Sequence, residues 1–255
     1  MKKICIAVLT GIMALSVCAC SNTEPASGES TEESQTSAVS QSDSSVYESS
    51  IPENPIISKF IDTSKLDEKT RRNVIGVLSS DSVELSASGK LAITGGISIG
   101  FDVDIAKDGE NVSIEAECAG KKIKTITNAD GKYTIDDDKK TASLEKISND
   151  ETSEQTLGGN KIIESLASYF TSSFGLDSIE YKGNGNEEYN GKVYDFEEYT
   201  FESGTIKAYY DGDTPVYFVS TTDSGKESVI TVNKLNNNVD KEIFNVPSGY
   251  EVING

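Results

Sequence analysis

From residue 97 the chain alternates apolar and polar side chains with a period of two. Ile97, Ile99, Phe101, Val103 and Ile105 are separated by Ser98, Gly100, Asp102 and Asp104, which places five apolar side chains on one face of an extended strand. Val112, Ile114, Ala116 and Cys118 repeat the device against Ser113, Glu115 and Glu117. The short connection Lys107-Asp108-Gly109-Glu110 predicts that these two strands pair as a hairpin. Asn128-Ala129-Asp130-Gly131, Asp211-Gly212-Asp213-Thr214-Pro215 and Asp223-Ser224-Gly225-Lys226 are further turn signals between strand-like runs. Two stretches follow a helical period instead. Ser64-Lys65-Leu66-Asp67-Glu68 is an N-cap signal with acids in the first turn, and Val74, Ile75 and Leu78 follow it, predicting a helix over residues 65–79. Ile163, Leu166, Ala167, Phe170 and Phe174 make one apolar stripe, predicting a second helix over residues 161–174.

A one-sided antiparallel sheet has to cover its apolar face with helices, with a second sheet or by curling on itself. With so little helix, the expected fold is mainly β (α+β): a curved antiparallel sheet or incomplete β-barrel covered by about two helices, forming one domain over residues 56–255. Its apolar face either encloses a cavity or is packed solid. Ile97, Ile99, Phe101, Val103, Ile105, Leu166, Phe170 and Phe174 are the expected cavity lining in the first case and core residues in the second.

The N-terminal stretch changes the picture of location. Met1-Lys2-Lys3 is basic, and the uncharged run Ile4–Val17 falls short of the ~20 apolar residues a spanning helix needs, so residues 1–19 read as an export signal peptide. Leu15-Ser16-Val17-Cys18-Ala19-Cys20 resembles the bacterial lipobox, with Cys20 as the residue that receives diacylglycerol and a palmitate-like acyl chain. Cys20 fits better than Cys18 because the small Ala19 precedes it. Residues 20–55 then form a lipidated cysteine and a serine-rich tether bearing Glu24, Glu29, Glu32, Glu33, Asp43 and Glu48, too polar to fold. The expected location is the outer face of the bacterial cytoplasmic membrane or the cell surface, held by the acyl anchor.

Charge and chemistry then narrow the function. The 255 residues carry 42 acidic against 23 basic side chains and no histidine, for a formal charge of -19. This balance argues against a nucleic-acid partner, which would need a basic face. The missing histidine removes the commonest general base and zinc ligand. Gly96-Ile97-Ser98-Ile99-Gly100 spells a nucleophile elbow, but it lies inside a strand pattern and lacks the histidine partner. Ser143-Leu144-Glu145-Lys146 has the spacing of a Ser-Lys dyad without its companion motifs, and Asp136-Asp137-Asp138 reads as turn charge. The pairs Glu187-Glu188 and Glu197-Glu198 point to opposite faces of their strands. No catalytic residue, metal or cofactor is therefore expected. Cys118 reads as a buried structural thiol. Tyr181, Tyr189, Tyr194, Tyr199, Tyr209, Tyr210 and Tyr217 gather in the C-terminal half, either as a rim for a glycan or lipid headgroup or as cross-strand packing.

The strand Ser228–Leu235, the acidic connector and the ending Phe244-Asn245-Val246-Pro247-Ser248-Gly249-Tyr250 resemble the close of the bacterial lipoprotein-carrier superfamily, the LolA, LolB and LppX-like half-barrels. The hairpin Ile206–Phe218, with its Asp211-Gly212 turn, resembles the same family. The resemblance covers residues 56–255, with its motif-like part at the end. It implies a curved sheet around a hydrophobic cavity that accepts acyl chains. The chain has no tryptophan and only Arg71 and Arg72 as arginines, so no ligand-contacting residue carries over. The expected function is a membrane-anchored envelope lipoprotein that binds an acyl chain, lipid or lipoprotein. The alternative is a non-enzymatic sensor or protein-interaction module with a filled core.

Overall fold

The structure is a computed structural model that describes residues 62–93, 97–146 and 178–254, without the side chains of Ile93 and Ile97. The expected leader, the lipidated Cys20, the tether and the second helix with Leu166, Phe170 and Phe174 lie outside the described residues.

Two meanders share one sheet. The first is β1 (Ser82–Ile93), β2 (Ile97–Asp108), β3 (Asn111–Cys118), β4 (Lys121–Asn128), β5 (Gly131–Asp136) and β6 (Thr141–Glu145). The second is β7 (Glu180–Tyr189), β8 (Lys192–Phe201), β9 (Gly204–Asp211), β10 (Thr214–Thr222) and β11 (Glu227–Asn236). β1 pairs antiparallel with both β2 and β11, which makes it the seam between them. β12 (Glu251–Asn254) joins β6 in parallel, so the expectation of a wholly antiparallel sheet is corrected at that edge. The spatial order is β12-β6-β5-β4-β3-β2-β1-β11-β10-β9-β8-β7, and among the described residues the sheet does not close into a barrel. The hairpin turns fall where the sequence signals them, with Gly109 at φ 60° and Gly212 at φ 61°, a conformation glycine adopts without steric cost.

One helix, α1, is present among the described residues, where about two were expected. It consists of an α-helical turn Glu68–Thr70, a π-helical stretch Arg71–Ile75 and a final α-helical turn Gly76–Leu78. Its N-cap is Asp67, not Ser64, which sits in a separate 3-10 turn, Thr63–Lys65. There Asp62 accepts the Ser64 backbone N–H at 3.1 Å. Leu66, Val74 and Ile75 bury against Ile179, Tyr199, Ala208 and Tyr210, with Leu78, Phe218 and Leu235 beside them. This defines a helix side of the sheet.

Pairing register carries the helix-side set from Phe218 through Ile230 and Gly89 to Phe101 and Cys118. A Cβ on Gly89 would stand 2.2 Å from the Val229 carbonyl oxygen and 3.0 Å from the Phe101 ring, so the seam has room for glycine alone.

The apolar set does not keep one face throughout, which corrects the one-sided expectation. In β4, Ile123 opposes Ala116 on the helix side, whereas Ile126 opposes Ser113 and Tyr133 on the far side. Ile126, Tyr133, Ile135 and Ala142 form a buried far-side cluster with Leu144, Val246 and Tyr250. Its cover is the strap of residues 241–254, whose 3-10 turn Lys241–Phe244 lies against β3 and β4 and buries Phe244. Asn128 Nδ2 donates to the Phe244 carbonyl at 2.9 Å, and Lys241 pairs with Asp108 at 3.1 Å. The Tyr250 hydroxyl donates to Asp137. The small Ala106 and Ser113, opposite each other and buried on this side, leave room for the strap.

Candidate functional site

Of the predicted lining, Ile99, Phe101, Val103 and Ile105 share the helix side of β2, and Ser98, Gly100, Asp102 and Asp104 face away and are exposed. Ile99 packs with Ile123 against the buried Cys118. Val103 and Leu85 pack against Ile105, Val112 and Ile114. Phe101 lies over Gly89. Leu85, Leu91, Ile99, Phe101, Val103 and Ile123 remain half-buried, whereas Ile105, Ile114, Ala116 and Cys118 are fully buried. The result is an apolar tract running from closed to open across β1 to β4. It is separate from the α1 core, which contains none of these β2 residues. Ile97 pairs with Ile93 by backbone at the end of the β1–β2 ladder. Ser98 is an exposed strand residue, as its strand pattern implied.

A polar seat on the same side was not anticipated. Glu197 in β8 is buried beneath α1. Its Oε2 accepts the Thr70 backbone N–H at 3.1 Å, the Tyr199 hydroxyl at 2.7 Å and the Thr70 hydroxyl. The Thr70 hydroxyl lies 2.5 Å from that of Tyr210, and Tyr199 also accepts the Asp67 backbone N–H at 3.2 Å. Glu197 thus serves as a remote cap, placing a carboxylate at the positive end of α1 and satisfying a first-turn N–H that the helix leaves open. Burial raises the hydroxyl pKa of Tyr199 and of Tyr210 far above the phenol range, so both act as neutral hydrogen-bonding groups. Alternation alone does not single out Glu197, because β8 carries aromatic side chains at both parities, Tyr194 and Phe196 on one and Tyr199 and Phe201 on the other.

Beside this seat opens a polar pocket of about 520 Å³, between Asp67, Lys69 and Arg72 of the α1 region and Asn184, Asn186 and Asp195 of β7 and β8. Its groups satisfy one another. Lys69 pairs with Asp195 at 2.8 Å and holds the Asp195 carboxyl below its usual range. Arg72 reaches Asp213 at 3.1 Å, Asn184 donates to Asp67 at 3.2 Å, and Asn186 donates to Asp195. The pocket therefore reads as a lattice fastening α1 to the edge of the sheet. Among the described residues no group of three or more Cys, Asp or Glu side chains is arranged to hold a metal ion.

The tyrosines divide between the two sides. Tyr199 and Tyr210 belong to the α1 core, whereas Tyr189, Tyr194, Tyr209 and Tyr217 gather with Phe196 on the far side. Tyr189 and Tyr209 stack at 4.8 Å between centroids, and Tyr217 meets Tyr189 at 5.2 Å and Tyr194 at 5.7 Å, edge to face. Cross-strand packing is thus real on both sides, and the far-side rings are additionally drawn into one patch.

No protein-family model matches the chain, and no curated protein matches it. In structure it is similar to an uncharacterized conserved protein from Thermus thermophilus at 8% identity and TM-score 0.35, over 74% of this chain and 96% of that one. A LolA superfamily protein from Nitrosomonas europaea aligns at 11% identity and TM-score 0.27, over 74% and 96%. A putative outer membrane lipoprotein-sorting protein domain from Vibrio parahaemolyticus aligns at 9% identity and TM-score 0.24, over 74% and 97%. A LolA superfamily structure is thus among those the chain is similar to. At these scores the chemistry has to come from this chain's own side chains.

Proposed function

We propose that this chain is a membrane-anchored envelope lipoprotein, acylated at Cys20, whose sheet holds an acyl chain, a lipid or the lipid of a lipoprotein. The observation that carries this reading is the half-buried tract of Leu85, Ile99, Phe101, Val103 and Ile123 on the helix side of β1 to β4. It is continuous with the buried Ile105, Ile114, Ala116 and Cys118. An acyl chain on such a tract gains roughly 0.8 kcal/mol per buried CH₂ and needs no polar partner along its length. The proposed lining also includes Ile97, Leu166, Phe170 and Phe174, whose side chains lie outside the described residues. No catalytic step and no cofactor are part of this reading. The second reading, a sensor or interaction module with a filled core, draws on the full burial of Ile105, Val112 and Ile114 at one end of the tract.

Residues 21–255, which lack the acylated cysteine, purified from cells and examined by native mass spectrometry, should carry a co-purifying amphiphile that a fluorescent fatty acid displaces. No bound amphiphile and no uptake of the probe would overturn the proposal. Ala116→Phe separates the two readings. With a cavity, the variant folds and loses the probe; with a solid core, it loses about 1–3 kcal/mol of stability.

A further inference from the structure

The far side of β7 to β10 carries a second surface that the lipid reading does not use. Phe196, Tyr194, Tyr189, Tyr209 and Tyr217 form one contiguous aromatic patch, in which Tyr209 is buried by its neighbours and the other four rings are half-buried. α1 lies on the other side of the sheet, and no described helix covers the patch. Rings of this kind, large and costing little side-chain entropy to hold still, with a polar tip each, are the composition of an interface centre ringed by charge.

The rim fixes the sign of what fits. Lys207 bridges Glu187 at 2.7 Å and Glu198 at 3.8 Å, and its ammonium sits 4.5 Å from the Phe196 ring centroid. Lys192 pairs with Asp211 at 2.6 Å and lies over Tyr194. Glu227 adds a further negative charge felt by Tyr189 and Tyr209. Three carboxylates thus engage the two lysines, and Glu227 is a fourth acid on the same rim. On the neighbouring far side, β2 continues with exposed Asp102 and Asp104 and β1 with exposed Lys90. An acidic rim on a chain of formal charge -19 repels polyanions, anionic bilayers, its own acidic residues 20–55 and a second copy of itself. A cation over an aromatic face is attracted both by the ring quadrupole and by the rim carboxylates.

We propose that this aromatic patch is a docking surface for a lysine- or arginine-rich segment of another protein, with the tyrosine rings as its centre and Glu187, Glu198, Asp211 and Glu227 as its complementary rim. The proposal is independent of the acyl-binding tract, which lies on the opposite side of the sheet.

The probe is the copolymer poly(Lys,Tyr) 4:1, titrated into residues 21–255 while the ring resonances of Tyr189, Tyr194, Tyr209 and Tyr217 are followed by NMR. Poly-L-glutamate, dextran and phosphatidylglycerol vesicles serve as comparison ligands. The expected result is saturable binding of the copolymer that shifts these rings, weakens at least tenfold between 50 and 300 mM salt (roughly the dependence of a multivalent charge contact), and is unmatched by the other three. Tyr194→Ala should weaken binding about tenfold and Tyr194→Phe much less. Because Tyr194 is half-buried, Lys192→Glu provides a second variant at the exposed rim, which removes the cation already lying over Tyr194 and should tighten binding. Shifts confined to acids away from the patch, equal or better binding of dextran, glutamate polymer or vesicles, self-association, or indifference to both variants would each overturn it. Retention of the fatty-acid probe by these variants keeps this outcome distinct from that of the acyl-binding test.

Discussion

In β8 and β9 the side covered by another element is the one on which α1 sits, and Tyr199, Ala208 and Tyr210 face it. In β4 to β6 the buried side is the other, and Ile126, Tyr133, Ile135 and Ala142 face the strap. The same sheet therefore has two cores of opposite hand. The covering element decides which parity of a strand is inside, and β4 is where the decision changes. The flanks also differ in chemistry. The helix flank is fastened by a buried carboxylate network around Glu197, whereas the strap flank is held by apolar burial with polar contacts at its rim.

That difference can be tested in descending order of effect. Phe244→Ala empties the strap's main anchor and should cost about 3–5 kcal/mol by urea denaturation. Hydrogen exchange should show β4 to β6 opening first while β8 and β9 stay protected; equal loss in both flanks would mean one inseparable core. Glu197→Ala leaves the Thr70 N–H and the Tyr199 hydroxyl without their acceptor, and should cost about 2–3 kcal/mol. Its loss of protection should fall in α1 and β8, the reverse of the first variant. Gly89→Ala forces a Cβ against the Val229 carbonyl at the seam, so about 1–3 kcal/mol should be lost with both flanks affected alike.

Acid should bear on the strap flank through Glu115 and Asp137. Burial pushes the Glu115 pKa up, but hydrogen bonds from Lys122 and Lys124 outweigh it and leave it below the usual value; the Tyr250 hydroxyl lowers that of Asp137. Groups with depressed folded values stabilise above their unfolded values of roughly 4 and lose that contribution as pH falls through the folded ones. The urea midpoint should therefore fall below pH 4, and Lys122→Met, which removes a partner of both acids, should flatten that limb. The smallest expected effect belongs to Lys192→Ala, an exposed pair with Asp211, for which no resolvable change in midpoint is expected.

Much of the sheet was legible because alternation and turn residues are local signals. The hairpin at Lys107–Glu110 and the Asp211–Pro215 turn stand as read. The change of face was also written in β4, since Ile123 and Ile126 are three residues apart and cannot share a side of one strand. The regular teeth of β2 and β3 do not carry into the rest of the meander, because the strap covers the other face of β4 to β6. The parallel β6–β12 pairing had no local signal at all, because its partners stand 110 residues apart and β12 has four residues. Glu197 is one of two adjacent acids that point to opposite faces of β8, and only the approach of Thr70 explains why a carboxylate is tolerated on the inner one. The helix start moved from Ser64 to Asp67 because Asp62 draws Ser64 into a turn of its own.

The seam strand has a mechanical consequence. β1 follows directly from α1 and lies in the interior of the sheet, laddered to β2 along its whole length and to β11 from Glu84 to Lys90. Tension applied ahead of residue 62 would first peel α1 from its seat and then pull β1 along its own axis. A strand loaded lengthwise between two neighbours strains its ladder bonds in parallel, as in a lap joint, and does not release them one at a time like a zipper. The molecule is therefore built to give early at the helix and to resist at the seam.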